Sequence, residues 1–290
     1  MITYLQRVLR SSVAPGLCLV SACLVDMVCF PTPGHAQAIE LAEQVWSAEV
    51  IRPRGQPVVP LFDGWFPNDD GSRTLCFGYF NLNTRQSLDI PAGDANHLSD
   101  NRFKALLPTH FEPLPPRYRR RFCVFTIRVP DDFGREDTIV WSLTSNGETL
   151  SVPGHILPAY ILDEPASDGR GDIAPLIRLV PDGDGARGRN GIHSQDEIQA
   201  VAGEDVTLRA WIEHPDSRVW TGWSKHSGPG NVHFDIAESE IQTGNEPAAV
   251  TAIFEIPGEY VVRLQSIDSV SAFEFYCCHS NAWFHVSVSD

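Results

Sequence analysis

The chain has 290 residues, with 22 Lys and Arg against 37 Asp and Glu, giving a formal charge of −15 at pH 7. A surface that acidic cannot neutralise phosphates, which excludes nucleic acid as a partner. Gly and Pro number 22 each, and short alternating apolar segments separated by turn residues replace any sustained helical period, so an all-β chain is expected.

The first 38 residues read as a signal peptide. Arg7 and Arg10 form a positive start, an apolar run extends from Val13 to Phe30, and Pro31, Pro33 and Gly34 end it. Ala36-Gln37-Ala38 has the small residues that signal peptidase requires, so the mature chain is expected to begin at Ile39. Asp26 inside the run argues against a retained membrane anchor, because a carboxylate is costly there. Val20-Ser21-Ala22-Cys23 resembles a bacterial lipobox, which would make Cys23 a lipid anchor. The apolar run continues through Leu24, Val25 and Met27, which favours soluble export over that alternative. No other run approaches the ~18 residues of a membrane helix, so no transmembrane helix is expected in the mature chain. The expected location is extracytoplasmic, periplasmic or secreted. About 250 residues then remain, enough for two ordinary cores, and without the leader the charge is one unit more negative. The one helical candidate is a short segment over Ile39 to Val50, which reads equally as a mobile lead-in.

A first β-sandwich is expected over 45–163. Leu61 to Arg73 is turn-rich. Thr74 to Phe80 reads as a strand with Leu75, Phe77 and Tyr79 on one face and Cys76, Gly78 and Phe80 on the other. Phe122 to Val129 places Cys123, Phe125, Ile127 and Val129 together. Thr138 to Thr144 and Glu148 to Val152 flank Ser145-Asn146-Gly147, a hairpin signal. Tyr160 to Leu162 would close the domain. Gly64-Trp-Phe-Pro-Asn-Asp-Asp-Gly71 and Phe77-Gly-Tyr-Phe-Asn-Leu-Asn83 resemble a module of uncharacterised exported bacterial proteins, a likeness that implies no activity. Between the strands lies the one basic cluster, Arg117, Tyr118, Arg119, Arg120 and Arg121. It reads first as a solvated loop. Its functional alternative is a grip on an anionic ligand, with Tyr118 stacking and the arginines binding carboxylate or phosphate.

The join runs from Asp163 to His193, with the linker proper at 164–173. Asp168 to Asp172 and Pro181 to Gly191 are expected to be flexible, with Leu176 to Val180 between them as a strand. Asp182 and Asp184 are spaced like calcium ligands, yet Ala186 and His193 stand where further ligands are needed, so a polar linker is favoured. Arg170-Gly171-Asp172 matches an integrin-ligand tripeptide that three common residues reach by chance.

A second sandwich is expected over 174–290. Val206, Leu208, Ala210 and Ile212 share one strand face; Val219, Thr221 and Trp223 share the next. Val232, Phe234 and Ile236 alternate, as do Val250, Ala252, Phe254 and Ile256. Tyr260, Val262 and Leu264 point inward after Pro257-Gly258, and the chain ends with Phe284, Val286 and Val288 alternating against Trp283, His285 and Ser287. Trp223 stands where Ig-like domains bury a central tryptophan, and Tyr260 reads as a tyrosine corner. Val201-Ala-Gly-Glu-Asp-Val-Thr-Leu208, Trp223-Ser-Lys-His-Ser-Gly-Pro229 and Phe254-Glu-Ile-Pro-Gly-Glu-Tyr260, followed by Asp268, resemble PKD-type Ig-like extracellular repeats. Trp223-Ser-Lys-His replaces the Trp-Asp-Phe-Gly-Asp-Gly of that family. The resemblance implies a spacer or a protein- or glycan-binding role. The fold class expected is therefore all-β, two Ig-like β-sandwich domains in tandem after a cleaved signal peptide.

Cys18, Cys23 and Cys29 lie in the leader, leaving Cys76, Cys123, Cys277 and Cys278. An even number in an exported chain points to disulfides. Cys76 and Cys123, expected on inward strand faces, are paired, which leaves adjacent Cys277 and Cys278 as a strained vicinal pair or reduced thiols. A soft metal on Cys277, Cys278 and His279 with His285 is the weaker reading in an oxidising compartment. No cofactor and no metal are expected. Neither a nucleophile elbow nor a zincin helix occurs. Asp69-Asp70 and Asp131-Asp132 are neighbours that cannot share one strand face, so no carboxylate dyad is assigned. The expected function is that of an exported non-catalytic binding or structural protein with an unknown protein or glycan ligand. The alternative is an accessory or catalytic domain acting on cell-surface polysaccharide, with Trp65, Phe66, Trp211 and Trp220 as a sugar-stacking platform.

Overall fold

Alternating apolar positions become strands along nearly the whole described chain. The protein is seen here as a computed structural model that describes residues 53–113, 120–162, 173–216, 218–244, 246–268 and 278–290. The leader with Cys23, the helical candidate over 39–50, Arg117, Tyr118 and Arg119, the linker at 163–172 and Cys277 lie outside those residues.

The N-terminal half carries β1 (Val58–Pro67), β2 (Arg73–Asn81), β3 (Leu88–Asp89), β4 (Asn96–Leu98), β5 (His110–Phe111), β6 (Arg121–Val129), β7 (Ile139–Ser145) and β8 (Glu148–Gly154). Antiparallel β1-β2-β6 and β4-β7-β8 are the two main layers, and β3 pairs with β5 beside them. Their core is aromatic. Phe77 stacks on Phe125 at 5.2 Å, and Trp141 meets Phe125 edge-on at 5.0 Å. The Trp141 indole N–H donates to Asn96 Oδ1 at 3.0 Å, so this buried ring leaves no polar atom unsatisfied. Asn146 and Gly147, both left-handed, make the tight turn of the expected hairpin between β7 and β8.

The C-terminal half carries β9 (Leu176–Arg178), β10 (Gly185–Ala186), β11 (Ile192–His193), β12 (Ile198–Val201), β13 (Asp205–Glu213), β14 (Arg218–Ser227), β15 (Val232–Phe234), β16 (Glu238–Gln242), β17 (Ala248–Phe254), β18 (Gly258–Ile267) and β19 (His279–Ser289). One sheet has the order β10-β9-β13-β17-β15; the other has β11-β19-β18-β14-β16, with β12 also parallel to β19. Between them Trp223 packs against Phe284 at 5.3 Å. Tyr260 is a tyrosine corner: its hydroxyl donates to Ile256 O at 2.8 Å and accepts from Gly230 N–H at 3.0 Å. The chain is all-β, with an Ig-like sandwich architecture.

Several expectations change. Leu61 to Arg73 is largely strand β1, and a bulge between Phe62 and Gly64 breaks the alternation that would have announced it. Pro158–Tyr160 forms a 3-10 turn, with Pro158 as its first residue, and the closing strand expected at Tyr160 to Leu162 is a single parallel bridge of Ile161 to Trp65, with Leu162 N–H donating to Trp65 O at 2.8 Å. Ile236 and Ile256 fall just past the ends of β15 and β17 and are exposed. Pro181 to Gly191 is anchored: β10 lies within it, Gly188 N–H donates to Ser280 Oγ at 2.8 Å, and Arg189 O accepts from Asn281 Nδ2 at 3.0 Å.

Cys76 and Cys123 are joined as expected, with Cα atoms 5.1 Å apart. Their position differs. A second bulge, at Phe77/Tyr79 against β6, and a left-handed Cys123 (φ 47°) turn Cys123 away from Phe125 and Ile127. The disulfide lies with Phe122 and Leu162 in a separate small cluster outside the main core.

Candidate functional site: a polar seam and its cleft

The face of β18 opposite its own core carries Arg263 and Gln265, and register places Ser224 of β14 beside Arg263 and Asn281 of β19 beside Gln265. Period-two logic makes this an outer, solvated face. In the fold it is covered by the N-terminal half. Thr109 N–H donates to His226 O at 2.8 Å, His226 Nε2 lies 3.1 Å from Leu106 O, and Lys225 Nζ donates to Asp89 Oδ1 at 2.6 Å and to Gly230 O at 2.7 Å. A bulge between Lys225 and Ser227 lets adjacent Lys225 and His226 both turn into the seam. Arg263 is fully enclosed: its guanidinium donates to Asn281 Oδ1 at 2.8 and 3.1 Å and to Cys123 O at 3.3 Å.

Burial sets the electrostatics. Desolvation lowers Arg263 to about 10, with help from nearby Arg121, and lowers His226 to about 3, so His226 is neutral. Desolvation would raise Asp89, but hydrogen bonds from His110 and Lys225 outweigh it and hold Asp89 at about 2. Asp63, within the first bulge, is pushed up to about 7 by burial against the lowering pull of Arg120, the Cys123 N–H and Arg189.

Of the basic cluster, Arg120 and Arg121 are described: Arg121 opens β6, and Arg120 lies in the irregular segment just before it. Arg120 pairs with buried Asp63 at 2.9 Å, and Arg121 pairs with Glu112 at 2.8 Å. Arg120 and Arg189 also lie over the Phe122 ring, at 5.0 and 5.5 Å from its centroid, while His279 meets it edge-on at 5.9 Å. Phe122 is thus a keystone of the seam.

Where the halves meet at the surface, they leave a cleft of about 280 Å³. Glu112 and Arg121 come from one half; Trp220, Gly222, Glu238 and Gln265 come from the other. Gly222 is required there, because the Trp220 indole lies where any β-carbon would go. The expected stacking platform is not formed. Trp65 (8 % exposed), Phe66 (1 %) and Trp220 (9 %) are buried, and Trp211 is half-buried. Trp65 joins the aromatic core, and Trp220 packs on Ile267.

The acidic pairs separate as expected of turns. Asp70 is held by Ser72 and Arg128, and Asp69, Asp131 and Asp132 are exposed. His279 and His285 lie six residues apart on one strand, about 20 Å, so they cannot share a metal. Among the described residues no group of three or more His, Cys, Asp or Glu is placed to hold one. Cys278 is buried and left-handed, with its neighbour Cys277 outside the described residues. No described helix is long and apolar enough to cross a membrane.

No family model and no curated protein matches the chain. Solved structures with a similar arrangement include the D00-D0 domain of intimin (11 % identity, 81 % of this chain and 100 % of that one, TM-score 0.27) and domains 4 and 5 of the S-layer protein SbsC (10 %, 73 % and 86 %, TM-score 0.25). A third is WR4, a C. elegans MSP family member (10 %, 32 % and 92 %, TM-score 0.26). Scores of this size carry no argument about function.

Proposed function

We propose that the chain is an exported, non-catalytic binding protein that holds a small polar ligand, a terminal sugar residue of a glycan, in the cleft between its halves. The observation that carries this reading is the cleft itself. Two halves joined by buried hydrogen bonds present it as a preformed site, lined by Trp220 and by hydrogen-bonding groups of both signs. Its volume is near the lower end of the roughly 300–1,000 Å³ of small-molecule sites, which suits one sugar residue. The PKD-type likeness of 174–290 is supported by buried Trp223 and the Tyr260 corner.

The test is a titration of neutral and uronic-acid oligosaccharides and short peptides, followed by tryptophan emission. Gly222→Val should displace Trp220 and abolish binding of whichever probe the native chain takes; equal binding by that variant, or none by the native chain, removes the cleft as the site. Release of new reducing ends from a bound polysaccharide would favour the catalytic alternative. Export is supported by the Cys76–Cys123 disulfide. N-terminal sequencing should find Ile39 first, whereas a lipidated Cys23 would place the protein on a membrane.

A further inference from the structure

We propose that His193 and His285 form a surface site for a divalent transition-metal ion of the copper, nickel and zinc group. Parallel pairing of β11 with β19 sets His193 opposite Trp283, and the imidazole stacks on the indole at 4.6 Å with the planes 13° apart. This stacking orients the His193 ring. Its Nδ1 comes within 3.3 Å of Nε2 of His285, and the two imidazole planes are within 25° of parallel. The backbone beneath them is tied down: Ser194 N–H donates to Trp283 O at 2.8 Å, and His285 N–H donates to Ser194 Oγ at 2.9 Å.

Two nitrogens bonded to one zinc at about 2.0–2.1 Å, at a tetrahedral angle, lie about 3.3–3.4 Å apart. The observed separation of 3.3 Å already matches that distance. Imidazole nitrogens suit zinc, copper and nickel, with copper highest in intrinsic affinity. Burial, and then the neighbouring His285, lower the basicity of His193 and so favour its neutral form. One of the two ring nitrogens at 3.3 Å donates an N–H···N hydrogen bond to the other. Metal binding requires that proton to move to the other nitrogen of its own ring, after which both lone pairs face the ion and water completes the coordination.

Four other described histidines have hydrogen-bond partners of their own. His233 bonds Glu255 at 2.6 Å, His110 bonds Asp89 at 2.9 Å, and His214 and His226 meet backbone carbonyls. The proposed site is separate from the cleft and independent of the reading given to it.

The test is titration of Cu²⁺ and Ni²⁺ into untagged full-length protein, by calorimetry and by tryptophan emission, since copper held by His193 should quench Trp283. One ion per chain is expected, with quenching at the same stoichiometry. His193→Asn and His285→Asn should each weaken binding by at least the about 10–100-fold that loss of even an outer-shell partner costs a metal site. His233→Asn should bind like the native chain. Equal affinity in the native, His193→Asn and His285→Asn proteins, with unchanged circular dichroism, overturns the proposal, as does absence of uptake below millimolar metal.

Discussion

Asp63 and His226 are two buried titratable groups whose pH effects oppose each other. In the unfolded chain Asp63 returns to its ordinary 3.8, against about 7 in the fold. Between those values the native chain holds a proton that the unfolded chain has released, so this group's contribution falls as pH rises through the window. His226 goes from 6.5 unfolded to about 3 folded. Its contribution is present above 6.5 and is lost as pH falls toward 3. The two effects offset each other between about pH 4 and 6.5. Asp63→Asn should therefore steepen the loss of stability on acidification, and His226→Gln should reverse the slope, read as urea midpoints across pH 4–7 at constant salt. Parallel profiles in all three proteins would show that neither shift exists. Tyr260 gives a simpler prediction. Phenylalanine there removes two hydrogen bonds and strands the Ile256 carbonyl and Gly230 N–H, at a cost of about 1–3 kcal/mol by chemical denaturation, with the fold retained.

At the scale of elements, the two bulges of the N-terminal half shape its side of the seam. Each inserts a break in period two, and together they point Asp63, Phe122 and Cys123 away from the aromatic core and toward the other half. The disulfide pins this displaced end of β6 to β2, closing a separation of 47 residues. Replacing Cys76 and Cys123 together by Ala should cost about 3–4 kcal/mol by the loop-entropy relation. Because Cys123 O also accepts from Arg263, the same change should loosen the seam, and amide exchange should rise in β6 and β18 together. Peptide mapping without reductant should recover Cys76 linked to Cys123, and Cys277 linked to Cys278. A peptide joining Cys123 to the segment containing Cys277 would overturn the vicinal pairing.

For the whole molecule, the main consequence is coupling between the halves. The described residues all belong to one compact unit. Buried Arg263, His226 and Lys225 tie the C-terminal half to backbone and carboxylate groups of the other. Calorimetry should therefore show one cooperative transition in the native protein. Arg263→Ala leaves Asn281 Oδ1 and Cys123 O without that donor, and each stranded acceptor should cost about 1–3 kcal/mol. It should also split the transition in two, one for each core. Retention of a single transition at lower temperature would mean that the seam does not depend on Arg263.

Much was legible in the sequence because one-sided burial leaves period two visible. Strand β13 occupies the expected span, and Trp223, Tyr260, Phe284, Val286 and Val288 face inward as read. The Asn146-Gly147 hairpin and the Cys76–Cys123 pairing were legible too, one from local turn chemistry and the other from what two neighbouring strands can reach. The seam was not. Arg263, Gln265 and Asn281 occupy positions that face away from a sandwich core, where a polar residue is the ordinary solvated choice. Only the arrival of a second layer, built from residues over a hundred positions away, makes those side chains interior. The same holds for Arg120, whose partner Asp63 sits in a bulge that the alternation cannot announce, and for His193 and His285, brought together by a parallel pairing across the sheet. Alternation reports which face of a strand meets its own core; what covers the opposite face is decided by contacts between distant parts of the chain, and those arise only in the tertiary structure.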